Sequence, residues 1–170
     1  MVENCPGDIV AVLAPDAFET NVTWELPEFS DNDNITSVTA NYYPGNYSYG
    51  IYRVVYEATD PSQNVQDGCS FWIEVQDNTP PVIMGCLRNS DNGSIFEFPT
   101  NPGRDTSGWT WSEPVATDNG LIVNVSSNYN PPHRFELGST VVTYVFSDQA
   151  SNQEECSFTV SIYGEFWEFL

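Results

Sequence analysis

Gly50-Ile-Tyr-Arg-Val-Val-Tyr-Glu-Ala-Thr-Asp60 and Gly138-Ser-Thr-Val-Val-Thr-Tyr-Val-Phe-Ser-Asp148 are the two stretches that decide the fold. Both obey G-x3-V-x-Y-x3-D and both run on to an asparagine, Asn64 and Asn152, at the same spacing. Their content of Val, Ile, Tyr, Phe and Thr, bounded by Gly on one side and Asp and Asn on the other, reads as a strand ending in a turn. Self-similarity at fixed spacing is the mark of a repeated module, and it extends outward from here in both directions.

Downstream, Cys69-Ser-Phe71 leads into Ile73 and Val75, and Cys156-Ser-Phe158 leads into Val160 and Ile162. Upstream, Trp24-Glu-Leu-Pro27 precedes Asp31-Asn32, and Trp111-Ser-Glu-Pro114 precedes Asp118-Asn119, both as W-x2-P-x3-D-N. Cys5 and Cys86 open the two units. The boundary falls in Gln76-Asp-Asn-Thr-Pro-Pro81, where paired prolines stop a strand and stiffen a short connector. Two homologous units are expected, 1–78 and 79–170.

Strands are expected at Ile9 to Leu13, Asn21 to Leu26, Ile35 to Tyr42, Ile51 to Ala58 and Cys69 to Gln76, with counterparts ending in Val141 to Ser147 and Cys156 to Tyr163. In the last of these, Phe158, Val160 and Ile162 alternate with Ser157, Thr159 and Ser161, the pattern of a sheet with one buried and one wet face. No window carries a capped helical repeat. The chain reads as all-β.

Composition sets limits on function. Against 24 acidic residues stand four arginines and no lysine, for a net charge of −20, with His133 the lone histidine. Nucleic acid is excluded as a partner, because phosphate binding needs clustered cations, and docking on anionic lipid is disfavoured for the same reason. At 40% hydrophobic and 14% aromatic the chain nevertheless has the material for a core. No apolar run is long enough to span a membrane, so no direct membrane insertion is expected. Catalysis finds no support: one histidine in a proline-flanked loop is a poor base for any nucleophile, and no phosphate-cradling glycine loop is present.

Cys5, Cys69, Cys86 and Cys156 lack the C-x2-C spacing of zinc sites and allow three disulfide pairings. Sequons at Asn21, Asn34, Asn46, Asn92 and Asn124 mark N-glycosylation and, with the cysteines, an extracellular chain.

The order Cys, W-x2-P-x3-D-N, G-x3-V-x-Y-x3-D-x3-N, C-S-F, with an Asp-Asn-Thr-Pro-Pro-Val-Ile connector at 77–83, resembles the hyalin repeat (HYR) family over nearly the whole chain, twice. The resemblance implies two tandem immunoglobulin-like β-sandwiches, each with one disulfide, found in matrix and cell-surface proteins and associated with adhesion rather than catalysis. Two departures stand out. Gln63 and Ser151 occupy the place of a glycine before the final Asn, so that turn is expected to differ, and unit one has no Thr-Pro-Pro-Val-Ile entry. In such a sandwich the first and last strands start at the same end, which pairs Cys5 with Cys69 and Cys86 with Cys156.

On that topology Asp118 and the loop from Asp148 to Asn152 lie at the connector end of unit two, near Asp77, and their oxygens suit calcium. Such an ion would lock the angle between modules. Asp31, Asp33 and Asp60 form the matching set in unit one. Asp and Asn also populate ordinary turns. Calcium is thus the one candidate cofactor, and none is required. Trp24 and Trp111 are expected inside their sandwiches, whereas Trp72 should point outward; Trp72 and Trp109 are the candidates for stacking on a glycan or a protein. The apolar tail 163–170, with Phe166, Trp167, Phe169 and Leu170, is a candidate assembly interface that would add a strand to unit one of the next copy and build a filament head to tail. Expected partners are further copies, neighbouring HYR-type modules and N-linked glycans.

Overall fold

In the computed structural model, residues 1–31, 34–87 and 94–164 are described. The chain divides into two units, Met1–Asn78 and Thr79–Leu170. Among the described residues every regular element is a strand. Unit one holds β1 (Val2–Glu3), β2 (Ile9–Val12), β3 (Thr20–Val22), β4 (Glu28–Phe29), β5 (Ser37–Ala40), β6 (Gly45–Tyr47), β7 (Gly50–Thr59) and β8 (Val65–Gln76). Unit two holds β9 (Val82–Met84), β10 (Ile95–Pro99), β11 (Thr106–Trp109), β12 (Val115–Thr117), β13 (Ile122–Ser127), β14 (His133–Glu136), β15 (Gly138–Asp148) and β16 (Gln153–Tyr163).

The two sets correspond strand for strand. Sheet β2-β8-β7-β5 matches β10-β16-β15-β13, pair β3-β6 matches β11-β14, and β1-β4 matches β9-β12. In each four-stranded sheet the first strand lies parallel to the last, with Ile9 opposite Ile73 and Ile95 opposite Thr159, while the central hairpin is antiparallel.

Period-two alternation in the sequence becomes the two faces of each sheet. From β8, Phe71, Ile73 and Val75 meet Val54 and Tyr56 of β7, and Val22 and Tyr47 close over them from β3 and β6. In unit two, Phe158, Val160 and Ile162 meet Val142, Tyr144 and Phe146, closed by Phe135 and Trp111. The strand expected over Asn21 to Leu26 ends at Val22, because Trp24 turns inward and its indole seeks a partner in the core instead of continuing the ladder.

Both disulfides form as the immunoglobulin-like topology requires. Cys5–Cys69 has Cα atoms 5.5 Å apart and closes a separation of 64; Cys86–Cys156 has 5.8 Å and closes 70. In the chain-entropy model loops of that size stabilise a domain by about 4 kcal/mol.

Candidate functional site: the acidic cluster and the repeated Asp-Asn loop

Asp60 and Asp148 stand at the end of the long first strand of each central hairpin, β7 and β15, and fold the next four residues around themselves. In unit one Asn64 donates its backbone N–H to Asp60 Oδ1 at 2.9 Å and its side-chain amide to Asp60 Oδ2 at 2.7 Å. In unit two Asn152 makes the same bonds to Asp148, at 2.8 Å and 2.7 Å. Gln63 and Ser151 stand in the left-handed region, with φ of 65° and 72°. The turn is the same in both units, and a non-glycine residue takes the left-handed strain in each. Hydrogen bonds from Asn64 hold the Asp60 carboxyl below its usual value of 3.8.

Around Asp148 further oxygens gather. Asp118 Oδ2 accepts the Gly120 N–H at 2.9 Å, an Asx-turn that aims the other oxygen inward. Asp118 Oδ1 and Asn119 Oδ1 are sealed from solvent. Asn152 donates to the Thr79 carbonyl at 3.2 Å, tying the loop to the connector. One carboxylate oxygen each from Asp118 and Asp148 lies within 4.8 Å of the other. Asp148 is 1% exposed and Asp77 6%.

Full charges at that separation repel by about 3 kcal/mol per pair at an effective dielectric near 20, and burial adds to the cost of each. Oxygens bound to one calcium ion at 2.3–2.6 Å stand at most about 5 Å apart, so the observed spread fits the group. The donors are all hard oxygens, which suit calcium and not zinc.

In unit one Asp31 and Asp60 line a cavity of about 250 Å³ together with Met1, Val2, Phe29 and Val65. Asp33, the third expected carboxylate there, lies outside the described residues, as do Asn92, Phe166, Trp167, Phe169 and Leu170. Asn21, Asn34, Asn46 and Asn124 are all exposed. Asn21 and Asn46 sit directly opposite each other on β3 and β6, with Asn21 Nδ2 donating to Asn46 Oδ1 at 3.3 Å.

The tryptophans separate by role. Trp24 packs edge-on against Phe71 at 5.4 Å, and Trp111 against Phe158 at 5.7 Å. Trp109, a candidate for stacking on a ligand, instead lies among Phe96, Phe98 and Trp111 at 5.1–5.3 Å, so protein rings occupy its surroundings. Trp72 points outward and is 48% exposed. His133 stacks between Tyr129 and Phe135, an aromatic packing role that sequence reading missed because its partners lie on either side of a proline pair.

The HYR domain profile matches residues 1–75 and again 76–162. Hyalin of Strongylocentrotus purpuratus is 33% identical over 168 residues, covering 95% of this chain and 13% of that protein. A sushi, von Willebrand factor type A, EGF and pentraxin domain-containing protein of Mus musculus is 32% identical over 167 residues, 95% of this chain and 4% of its own length. The chain thus spans a small part of these relatives. Among solved structures, the fibronectin(III)-like modules of Clostridium thermocellum CbhA align over 100% of this chain and 98% of theirs, at 13% identity and a TM-score of 0.34, too low to bear on function.

Proposed function

The chain belongs to the HYR domain family, with two modules in tandem, and on that premise we propose that it is a non-catalytic structural and adhesive segment of an extracellular matrix or surface filament. It is an extracellular chain, in keeping with its family and its two disulfides. The observation that carries the proposal is where each disulfide sits. Cys5 precedes β2, and Cys69 lies within β8, the strand that leads out of the module. Tension entering ahead of Cys5 crosses the disulfide to Cys69 and leaves along β8, so the residues between the two cysteines stand outside the path of force. Cys86 and Cys156 do the same for unit two. What remains under tension is a short covalent route through the disulfide and the stretch of β8 that follows Cys69.

Single-molecule stretching of the oxidised and the reduced chain tests this. The oxidised modules withhold the separations of 64 and 70, and reduction releases them at about 3.5 Å per residue. An oxidised chain that extends to its full contour length would remove the proposal.

A second reading rests on the carboxylate pair within unit two: Asp118 and Asp148, with oxygens within 4.8 Å, would hold calcium, offsetting the repulsion between them. The expected result is a rise in the melting temperature on adding calcium after EDTA, lost in Asp148→Asn. An unchanged melt and no binding heat in titration would dismiss the ion. Exposure of Asn21, Asn34, Asn46 and Asn124 supports their carrying N-linked glycans, which glycopeptide mapping would check.

A further inference from the structure

Four side chains on the outer face of the unit-one sheet form a square. Trp72 and Glu74 lie on β8; opposite them on β7 stand Arg53 and Ile51, with Arg53 facing Trp72 and Ile51 facing Glu74. One diagonal is therefore apolar, Trp72 with Ile51, and the other charged, Arg53 with Glu74. Trp72 is 48% exposed and Ile51 69%, and Val10, beside Glu74 on β2, extends the apolar ground.

Unit two supplies an internal control, because the same fold carries the same square with other residues. There Thr159 faces Val141 and Ser161 faces Ser139, with Glu97 in the place of Val10. Ser139 and Ser161 satisfy each other across the strands at 3.3 Å. The sandwich thus stands without a tryptophan, an isoleucine or an ion-pairing set at these positions, and their presence in unit one calls for another surface. The face is also clear of sequons: Asn21 and Asn46 belong to β3 and β6, whose inward residues Val22 and Tyr47 cover the other side of the core.

We infer that this face binds a second copy of itself. The square is self-complementary. A two-fold axis lying between two facing sheets, along the Trp72–Ile51 diagonal, sets Trp72 on Trp72 and Ile51 on Ile51 and carries each Arg53 onto Glu74 of the other copy. Both ion pairs form, and the two sheets cross steeply, as in orthogonal β packing. No other in-plane axis through the square matches apolar to apolar and charge to opposite charge. The contact is small and opposed by a net charge of −20 on each copy, so it is reversible rather than obligate. It does not depend on the calcium or the tension path proposed above.

Sedimentation of the chain in EDTA, from micromolar to millimolar concentration, tests the inference. A reversible monomer–dimer equilibrium is expected. Trp72→Thr with Ile51→Ser, which installs the unit-two residues, weakens it by about tenfold or more, as does Arg53→Glu alone. Arg53→Glu combined with Glu74→Arg restores it, because the swapped square is again self-complementary, whereas a contact with any other surface is not rescued. Melting curves confirm that each variant folds. A chain that stays monomeric at millimolar concentration, a dimer indifferent to these changes, or failure of the double swap to restore association overturns the inference.

Discussion

Trp111 donates its indole N–H to the Tyr144 hydroxyl at 2.8 Å, and Tyr144 is oriented toward Glu113 at 3.3 Å. Trp24 and Tyr56 repeat the first bond in unit one at 2.9 Å. Two sequence motifs that lie far apart along the chain, W-x2-P and G-x3-V-x-Y, are thereby halves of one interaction. A buried indole can give its proton only to an acceptor brought to it, and the tyrosine hydroxyl is that acceptor in both modules.

Tyr144→Phe leaves that N–H buried without its acceptor. The expected loss is about 1–3 kcal/mol in the denaturant unfolding of unit two. Tyr56→Phe acts on unit one by a smaller amount, because Trp24 is only half-buried. A loss confined to the wrong transition, or none, would count against the pairing.

The alkaline limb of stability follows from two tyrosines. Burial pushes the Tyr47 and Tyr144 hydroxyls above their usual value of 10.0. A raised value in the folded state means that stability is fully present below pH 10 and is lost as pH rises through the folded values. Unfolding should therefore accompany tyrosinate formation, with the phenolate absorbance and the loss of near-ultraviolet circular dichroism rising together.

Gln63→Gly and Ser151→Gly should each stabilise their module by about 0.5–1 kcal/mol. A side chain in the left-handed region carries a penalty that glycine avoids, less the extra freedom glycine has when unfolded. Thermal melts of the two single variants check this, and a fall in either melting temperature would show that the side chain itself holds the loop.

Removing one disulfide by Cys86→Ser with Cys156→Ser should destabilise unit two by about 2–5 kcal/mol. The transition of unit one should stay in place, measured by denaturant unfolding with both transitions resolved, because the two bridges close separate loops.

Acid should act on the Asp-Asn loop. The Asp60 carboxyl is held below 3.8 by Asn64, so its contribution is present above that value and is lost as pH falls through the lowered one. Asn64→Ala should move the acid unfolding of unit one to higher pH.

Much of this molecule was legible in its residues. Strict alternation in Phe158, Val160 and Ile162 sets the inner face of β16 before any coordinates are consulted, because a strand offers only two faces. The repeat marks the matching strands, and the family's topology, once given, implies the partner of each cysteine. Asp148 and Asn152 were visible as a turn, yet the left-handed φ at Ser151 was not, since the family pattern favours glycine there and only the surrounding hydrogen bonds hold a serine in that conformation. Trp109 read as a candidate for stacking on a ligand and packs among aromatic rings, because its surroundings come from β10 and β16 and not from its own strand.

The sequence by itself determined the all-β class, the two modules and the inward set of each strand, since these follow from local periodicity and from the repeat. Tertiary structure alone decided which charges meet. Register across β7 and β8 puts Arg53 beside Trp72 and Ile51 beside Glu74, and loop closure brings Asp118 and Asp148 together. Pairing between distant strands is set by how the whole core closes, and no window of sequence contains it.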